Sequence, residues 1–349
     1  MSYPSTYSAW RRTTGPKPNT IERTFDETLP SKLDPYDVVV KIRAVSLNYR
    51  EHAMLIGTYP VPNIVEHGVP ASDASAEVVA VGSEVSRWKA GDRVVPVATQ
   101  SEMDPENDVG LGSTAQGVLR EYAVFHEKTL LRLPDNLSWE EGATLACAGL
   151  TAWVALDNLK HVPKGAAALL QGTGGVSLFA LALCLSAGIR PIITSSSDDK
   201  IAQLCKFHPD IRGLNYKTVK DQEAEIKRLT EGRGVDFVIN NTGVKSIPED
   251  ISFLAPRHGT ISLVGFLAGF DADWEHVKLM GLMNKSAKLK GVAMGSYRDF
   301  AEMNKYIEDH KLNFGGLIDR TISYEKATEA FELLASGKFT GKIVIKIDE

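Results

Sequence analysis

Cysteine is scarce in this sequence of 349 residues, which contains only Cys147, Cys184 and Cys205. Three thiols cannot form a framework of disulfide pairs, and no two of them have the C-x-x-C spacing. Long apolar runs are also missing, because no stretch reaches the roughly 20 residues that a membrane helix needs. The N-terminal segment 1–7 has no apolar run and no twin arginine, so we expect no export signal. These absences favour a cytoplasmic protein without membrane contact.

Blocks of positive charge are absent as well. The chain has 39 Lys and Arg residues against 44 Asp and Glu residues, which gives a formal net charge of −5. Binding to nucleic-acid phosphates needs clustered positive charge, so we expect no nucleic-acid partner. The composition, with 43% hydrophobic and 24% charged residues, is typical of globular proteins. At roughly 100–200 residues per domain, the length suggests about two domains.

The sequence changes character near residue 150. Before it, short alternating runs between Gly and Pro residues predict an irregular β-barrel or sandwich, with strands over 37–45, 76–81, 91–97 and 118–124. After it, strands and helices alternate, which indicates a parallel α/β sheet. The strands of this part are predicted over 166–171, 191–195, 235–240 and 259–264, and its helices over 176–187 and 199–207. Helices over 299–310 and 324–335 and a strand over 342–346 follow, and this last strand resembles the first half, to which we expect the tail to return. The polar stretch 100–110 is predicted to be a surface loop.

A glycine-rich turn, Gly172-Thr173-Gly174-Gly175-Val176-Ser177, lies between the predicted strand 166–171 and the predicted helix 176–187. In turns of this kind the first glycine permits the tight bend and the second lets the backbone approach a pyrophosphate. The last position must be small, and Ser177 replaces the usual glycine there. The helix N-terminus supplies free N–H groups and a partial positive charge. We therefore expect these residues to bind a dinucleotide; the alternative is a glycine-rich turn without a ligand.

The end of the second strand of such a sheet selects the dinucleotide. An NAD site places an Asp or Glu there, whereas this chain has Thr194-Ser195-Ser196-Ser197 and no carboxylate before Asp198. Hydroxyl groups can donate to a 2′-phosphate, and Lys200 can neutralise it, which favours NADP over NAD. Alternatively, the last two serines only begin the next helix, with Asp198 and Asp199 in its first turn. Both interpretations can hold together.

Several motifs, taken in order, resemble the medium-chain dehydrogenase/reductase superfamily, and in particular its zinc-free branch near the quinone oxidoreductases, often labelled zinc-type alcohol dehydrogenase-like. The motifs run nearly from end to end: Ser46-Leu-Asn-Tyr-Arg50, Glu77-Val-Val-Ala-Val-Gly82, Gly91-Asp-Arg-Val94, Cys147-Ala-Gly-Leu-Thr-Ala-Trp153, Gln171-Gly-Thr-Gly-Gly-Val-Ser177, Thr194-Ser-Ser-Ser197 and Gly341-Lys-Ile-Val344.

The resemblance implies an α/β protein with a GroES-like, β-rich catalytic domain over 1–148. It implies a Rossmann dinucleotide-binding domain over 149–294, with a doubly wound parallel sheet, and a return to the catalytic domain over 295–349. The nicotinamide and a small-molecule substrate would bind in the cleft between the domains. The resemblance also implies a homodimer through an edge strand near 288–292.

Cofactor contacts are implied by the same resemblance. Thr151 corresponds to a position near the nicotinamide, and Tyr216 to a tyrosine near the adenosine 2′-phosphate. Gly265, Phe266 and Met294 correspond to strand ends that contact the carboxamide, and Lys342 to a residue at the phosphates. Alternatively, Tyr216 is a surface tyrosine and Lys342 a solvated charge at a strand end.

Zinc is not expected, because the family's three catalytic ligand positions correspond to Asn48, Ser72 and Cys147. A catalytic zinc needs three protein ligands, typically Cys and His, and two of these positions supply neither. The segment 95–120 also lacks the four cysteines of a structural zinc site. We therefore expect no metal and interpret Cys147 as a small buried hydrophobic residue.

Without a metal, another group must stabilise the oxyanion that follows hydride transfer. Conjugated enones and quinones ease this requirement because they delocalise the negative charge, so hydrogen-bond donors suffice. We expect Asn48 to position the substrate or the nicotinamide and Tyr49 to donate to the carbonyl oxygen. Tyr49 could equally be a core or lid aromatic, with water as the proton donor. Tyr59 is expected near the pocket or in a loop, and Arg50 is expected to pair with Asp73.

These observations favour an NADPH-dependent oxidoreductase that reduces an α,β-unsaturated carbonyl compound or a quinone. Two alternatives stay open: a zinc-independent alcohol dehydrogenase or carbonyl reductase, and an NADPH-binding protein without catalytic activity.

Overall fold

The computed structural model describes residues 3–99 and 110–347, so the predicted loop at 100–110 lies almost entirely outside the described residues. Within those ranges the strands are β1 (Thr6–Arg12), β2 (Ile21–Thr28), β3 (Asp37–Leu47), β4 (Asp73–Val81), β5 (Arg93–Pro96), β6 (Tyr122–His126), β7 (Leu130–Arg132), β8 (Ala167–Leu170), β9 (Arg190–Ser195), β10 (Arg212–Asn215), β11 (Phe237–Asn240), β12 (Thr260–Leu263), β13 (Lys288–Gly291), β14 (Ile318–Ser323) and β15 (Lys342–Lys346). The α-helices are α1 (Tyr49–Ile56), α2 (Trp139–Gly142), α3 (Leu150–Ala155), α4 (Gly175–Ser186), α5 (Asp198–Cys205), α6 (Gln222–Leu229), α7 (Ile247–Phe253), α8 (Met280–Asn284), α9 (Tyr297–Asp309) and α10 (Ala327–Ser336).

The chain divides into two compact units. One unit joins Met1–Ala148 with Ser296–Glu349, and we call it the β-rich unit. The other, Gly149–Gly295, we call the parallel-sheet unit. None of the helices in the described ranges is long and apolar enough to cross a membrane.

The parallel-sheet unit is built on one sheet with the strand order β10-β9-β8-β11-β12-β13. All neighbouring strands in this sheet are parallel. This is the strand order of a doubly wound nucleotide-binding sheet. From β8 the strands are added on one side as far as β10, and from β11 they are added on the other side of β8. Every residue of β8 is buried, as a strand covered by helices on both faces requires. The doubly wound parallel sheet predicted from the sequence is therefore confirmed.

The β-rich unit contains a sheet with the order β14-β15-β3-β4-β5-β7, with β6 also paired to β3. Strands β1 and β2 form a separate antiparallel pair. β15 pairs antiparallel with β3, and Ile343 lies opposite Leu47. This pairing brings the C-terminal segment, which lies almost 300 residues further along the chain, next to the start of α1. It also places Lys342 beside Leu47 and Asn48.

Two parts of the sequence prediction differ from the structure. The strand predicted over 118–124 begins only at Tyr122, because the backbone of Val118 and Leu119 bonds to Ala71 and Trp10 instead, outside the β3–β6 ladder. The prediction also did not include β1, β2, β7, β10 and β14. The residues of β2 are mostly polar and only its first residue is buried, so the apolar alternation that marks a strand is absent there.

Candidate functional site

The glycine-rich turn after β8 has an open backbone. Gly172 has a φ of +82°, a conformation that side chains rarely adopt. Gly174, which has no side chain to form a cap, is the N-cap of α4, and the helix begins at Gly175. A Cβ atom added to Gly172 or Gly174 would meet no atom within 4 Å. The first-turn N–H groups of α4 therefore border space that a phosphate group can enter.

Hydrogen bonds from polar side chains hold the start of the glycine-rich turn. The Ser177 hydroxyl donates to the Gln171 carbonyl oxygen at 2.8 Å, and Asn241 Nδ2 donates to the same oxygen at 3.0 Å. The Gly172 N–H donates to the Thr194 hydroxyl at 3.1 Å. Ser177 is buried, so the requirement for a small residue at this position is met by a serine whose hydroxyl has a partner. These bonds fix the start of the turn against the strand ends.

A buried carboxylate, Asp250 on α7, joins two neighbouring segments of the same unit. It accepts hydrogen bonds from Gln171 Nε2 at 2.7 Å, Asn240 Nδ2 at 2.5 Å and the Ser246 hydroxyl at 3.1 Å. Gln171 Oε1 in turn accepts the Thr242 N–H at 3.1 Å. Burial raises the pKa of Asp250 to about 7, although the hydrogen bonds from Ser246, Asn240 and Gln171 oppose this shift. Asp250 thus positions the glycine-rich turn and the loop after β11 together.

The ends of β9 and β10 carry the residues expected at the adenosine side of a dinucleotide. Ser195 is buried and its hydroxyl accepts the Ser197 N–H at 3.1 Å, whereas Ser196 is exposed. The Ser197 hydroxyl caps α5 by accepting the Lys200 N–H at 3.3 Å, as the alternative interpretation of this segment expects. Tyr216 is exposed and follows β10 directly.

Asp198 is the first carboxylate after β9, and it is already engaged. Its Oδ1 atom accepts a hydrogen bond from Asn215 Nδ2 at 2.9 Å. An NAD site needs a carboxylate there that can accept from the ribose hydroxyls. The pairing with Asn215 ties Asp198 to the end of β10 and leaves serine hydroxyls at the end of β9.

The four residues expected at the nicotinamide belong to the parallel-sheet unit. Thr151 is buried on α3. Gly265 follows β12, where an added Cβ would lie 2.8 Å from the Asn241 carbonyl oxygen, so only glycine fits. Phe266 stacks on Phe270 with ring centroids 5.1 Å apart. Met294 is half-buried and has a φ of +62°. Gly265 and Phe266 thus lie against the loop after β11, which Asp250 helps to hold.

A second polar cluster surrounds Asp73, the first residue of β4, which is completely buried. Its carboxylate accepts from Asn48 Nδ2 at 3.0 Å, from the Ser72 hydroxyl at 2.9 Å and from the Cys147 N–H at 3.2 Å. These three donors belong to the residues that the resemblance noted in the sequence assigns to zinc-ligand positions. One carboxylate therefore gathers all three positions by hydrogen bonds.

Two expectations about this cluster need correction. Lys342, expected at the cofactor phosphates, is 2% exposed, and its ammonium donates to the Leu47 carbonyl oxygen and to Asn48 Oδ1. Arg50, expected to pair with Asp73, instead donates to the Leu111 carbonyl oxygen at 2.9 Å and lies over the Tyr59 ring. The cation that accompanies Asp73 is Lys342, because the register of β15 on β3 brings it there.

The residues around Asp73 do not fit a zinc ion. Asn48 and Ser72 offer an amide and a hydroxyl, and the ammonium of Lys342 lies beside them. Desolvation, and next the neighbouring Asp73 carboxylate, raise the pKa of the Cys147 thiol to about 12, so the thiolate that zinc binds is disfavoured. Over residues 3–99 and 110–347, no group of three or more His, Cys, Asp or Glu side chains could hold a metal ion.

Tyr49 begins α1 directly after Asn48 and is 40% exposed. Its ring lies 6.0 Å from the His52 ring. The Tyr49 side chain is therefore open to solvent. This exposure is compatible with both roles expected from the sequence, a hydrogen-bond donor to the substrate and a lid residue.

Sequence reasoning did not single out Asp250 or the role of Asp73. Asp250 lies in a helix whose sequence, Ile247–Phe253, has no motif, and its three donors come from three separate segments. For Asp73, the signal was its position next to Ser72, in the place of a missing metal ligand. A carboxylate beside a position that lacks a metal ligand needs other hydrogen-bond donors or a cation as partners, and the sequence indicates that need.

Family models match both units of the chain. Residues 34–135 match the alcohol dehydrogenase GroES-like domain, and residues 175–309 match the zinc-binding dehydrogenase family. The GroES-like domain expected from the sequence is thereby confirmed.

Individual relatives cover nearly the whole chain. A zinc-type alcohol dehydrogenase-like protein of Schizosaccharomyces pombe is 35% identical over 328 residues, which cover 92% of this chain and 93% of the relative. A quinone oxidoreductase of Pseudomonas aeruginosa is 28% identical over 337 residues, with 90% and 93% covered. A solved structure of an alcohol dehydrogenase candidate from Sinorhizobium meliloti 1021 is 30% identical, with a TM-score of 0.88, and covers 99% of this chain and 100% of its own.

The raised pKa of Asp250 predicts a pH dependence of stability. Because the folded protein holds this proton more tightly than the unfolded chain, the contribution is present below about pH 4 and is lost as the pH rises through about 7. In urea unfolding, Asp250→Asn should lose about 1–2 kcal/mol of the stability difference between pH 5.5 and pH 8. Asp271→Asn, which removes an exposed carboxylate elsewhere in the same unit, is the control and should keep that difference. An unchanged difference in Asp250→Asn would contradict the raised pKa.

Proposed function

The chain belongs to the medium-chain dehydrogenase/reductase superfamily, and from this premise we propose that it is an NADPH-dependent oxidoreductase that reduces α,β-unsaturated carbonyl compounds or quinones without a metal ion. Oxidoreductase activity with a nicotinamide cofactor is the common property of the family. The observation that carries the finer proposal is the cluster around Asp73. There, the family's zinc-ligand positions carry Asn48, Ser72 and Cys147, held by hydrogen bonds to a carboxylate.

The glycine-rich turn fits the pyrophosphate of a dinucleotide. The turn would present backbone N–H groups to it, since space for a Cβ is open at both Gly172 and Gly174. The residues that would supply these groups are Gly172, Thr173, Gly174, Gly175 and Val176. Thr151, Gly265, Phe266 and Met294 would hold the nicotinamide end, in keeping with the resemblance. When bound, the reduced nicotinamide supplies a hydride.

The preference for NADPH is supported by the residues at the ends of β9 and β10. The exposed Ser196 can donate to a 2′-phosphate, Lys200 can neutralise its charge, and Tyr216 can lie against it. Ser195 holds the backbone of this segment through Ser197. The first carboxylate, Asp198, lies in the first turn of α5 and not at the end of β9, and the hydrogen bond from Asn215 orients one of its oxygens toward the end of β10.

The substrate class follows from the missing Lewis acid. A zinc enzyme uses the metal to stabilise negative charge on oxygen. In this chain the corresponding place offers an amide, Asn48, and a phenol, Tyr49, which can donate hydrogen bonds. Such donors suffice when the substrate spreads its own charge, as an enolate or a hydroquinone anion does. Water can then deliver the proton.

We also propose that the protein is a homodimer through the outer edge of β13, Lys288–Gly291. This strand ends the parallel sheet within the described residues, and Leu289 on it is exposed. Met280 and Met283 on α8 are exposed as well. An unpaired edge with exposed apolar side chains is a favourable surface for pairing with a second copy.

Substitution of Gly174 tests the cofactor site. Gly174→Ala should fold with a free energy of unfolding within about 1 kcal/mol of wild type, because the added methyl group meets no protein atom. The same methyl group would occupy the space of the pyrophosphate, so the dissociation constant for NADPH should rise about 10-fold or more. Fluorescence titration measures it, with Gly316→Ala as a control in open space of the β-rich unit. NADPH binding as tight as in wild type would remove the turn from the cofactor site.

The cofactor preference is tested at Lys200. Wild-type protein should bind NADPH more tightly than NADH, and Lys200→Ala should weaken NADPH binding about 5- to 10-fold while leaving NADH binding unchanged. Lys206→Ala, at the exposed end of the same helix, should change neither. Equal dissociation constants of wild type for the two cofactors would refute the NADPH preference.

Product analysis tests the reaction itself. With 3-penten-2-one and NADPH deuterated at C4, we expect 2-pentanone with deuterium on the β-carbon, at a rate that EDTA treatment does not change. Deuterium on the carbonyl carbon of 3-penten-2-ol would instead indicate a carbonyl reductase. Tight NADPH binding without turnover of enones, quinones, aldehydes or ketones would indicate a binding protein. About one zinc per chain in elemental analysis would contradict the metal-independent proposal.

A further inference from the structure

The ammonium group of Lys342 is buried beside Asn48. Nζ donates to the Leu47 carbonyl oxygen at 2.7 Å and to Asn48 Oδ1 at 2.5 Å, and it lies 4.0 Å from Asp73 Oδ2. The exposed fractions of the Lys342 and Asp73 side chains are 2% and 0%. A buried charge is costly unless partners compensate it. In this cluster the amide of Asn48 lies between the cation and the carboxylate, and it compensates both buried charges by bonding to each of them.

This arrangement determines the orientation of the Asn48 amide. The amide oxygen accepts from Lys342 and Nδ2 donates to Asp73. The flipped amide would face its NH₂ group to an ammonium, which only donates, and its oxygen to a carboxylate, which accepts. Both bonds would then be lost. The Asn48 amide nitrogen carries two N–H groups. Within the described residues one of them donates to Asp73, so the other is available to another group.

The cation at the amide oxygen also strengthens that N–H as a donor, against the opposing effect of the Asp73 carboxylate on the same nitrogen. A cation bonded to an amide oxygen draws electron density from the nitrogen, and hydrogen bonds in a low-dielectric interior polarise one another. Donors supported by charge form shorter and stronger bonds with developing oxyanions. Lys342 therefore brings positive charge to the place of the missing metal, but acts one amide away from the reacting atom.

We propose that Lys342 is a positioning residue that orients and polarises Asn48, so that the free Asn48 N–H donates to the substrate oxygen. The inference rests on the proposed function. A bound reduced nicotinamide would supply hydride to the β-carbon of an enone, and the negative charge that this leaves on the substrate oxygen would then face the Asn48 N–H. The Asn48 N–H bonds most strongly to the oxygen at that moment. A proton from water on the α-carbon completes the saturated product.

A double-mutant cycle tests whether Lys342 acts through Asn48. With 3-penten-2-one, we expect kcat to fall about 100-fold in Asn48→Ala and about 10-fold in Lys342→Met, with little change in NADPH affinity. The double variant should lose no more than Asn48→Ala alone, because Lys342 has nothing left to polarise. Lys285→Met is the matched control, since its ammonium also donates to backbone carbonyls, of Ser252 and Leu254, in the other unit. It should keep the wild-type kcat.

Two outcomes would overturn the proposal. Additive losses, about 1,000-fold in the double variant, would mean that Lys342 acts independently of Asn48. A weaker NADPH affinity with unchanged kcat would mean that Lys342 serves the cofactor. If Lys342→Met leaves Asp73 without its cation and fails to fold, Lys342→Met/Asp73→Asn removes both charges together. This variant should fold and still show the 10-fold loss of kcat; a wild-type kcat would refute the proposal.

A binding measurement separates this inference from the proposed function. If wild-type protein reduces no enone or quinone, the proposed function fails, but the donor can still be tested with p-nitrophenolate, an oxyanion that needs no hydride. Its absorbance shift should give a dissociation constant about 10-fold higher in Lys342→Met than in wild type, with Lys285→Met unchanged. Equal binding by wild type and Lys342→Met, or no binding by wild type, would refute the polarised donor.

Discussion

A carboxylate without solvent contact, Asp73, is the constraint on which the packing around the start of α1 depends. Its charge must be met by donors, and these come from Asn48, Ser72 and the backbone of Cys147, with the ammonium of Lys342 at 4.0 Å. Removing one partner of such a buried set costs more than the bond itself, because the remaining charge stays desolvated. The cluster therefore fixes the end of β3, the start of α1 and the start of β15 together, and with them the orientation of the Asn48 amide.

The parallel-sheet unit also contains a buried carboxylate that accepts from several donors, but the charges around it differ from those around Asp73. Asp250 also gathers three neutral donors, from Gln171, Asn240 and Ser246, and thereby holds the glycine-rich turn. No cation is recorded beside it in the described residues, so burial raises the pKa of Asp250 to about 7. Asp73 and Asp250 thus each hold a loop in place, and in the described residues a cation, Lys342, accompanies Asp73.

The sequence predicts best what depends on neighbouring residues. The turn Gly172–Ser177, with a strand before it and a helix after it, is a local pattern, and the structure has β8 and α4 there. The missing zinc ligands are likewise visible residue by residue. The partner of Asp73 is not, because Lys342 reaches it through the pairing of β15 with β3. A lysine at the start of a strand has the same local signature whether its ammonium is solvated or buried. The exposed, polar β2 was missed for a related reason: tertiary pairing, and not apolar alternation, makes it a strand.

The cluster around Asp73 differs from a zinc site in its charges as well as in its side chains. Zinc brings two positive charges and needs thiolates or imidazoles at fixed distances. In this chain one positive charge is carried by the side chain of Lys342, which donates to the neutral amide of Asn48. Cysteine or histidine at positions 48 and 72 would not by itself restore a zinc site, because the Lys342 ammonium would repel the ion and the buried Asp73 would lose two donors. The lysine, the carboxylate and the amide contact one another as one buried set, so the loss of one leaves the others without a partner.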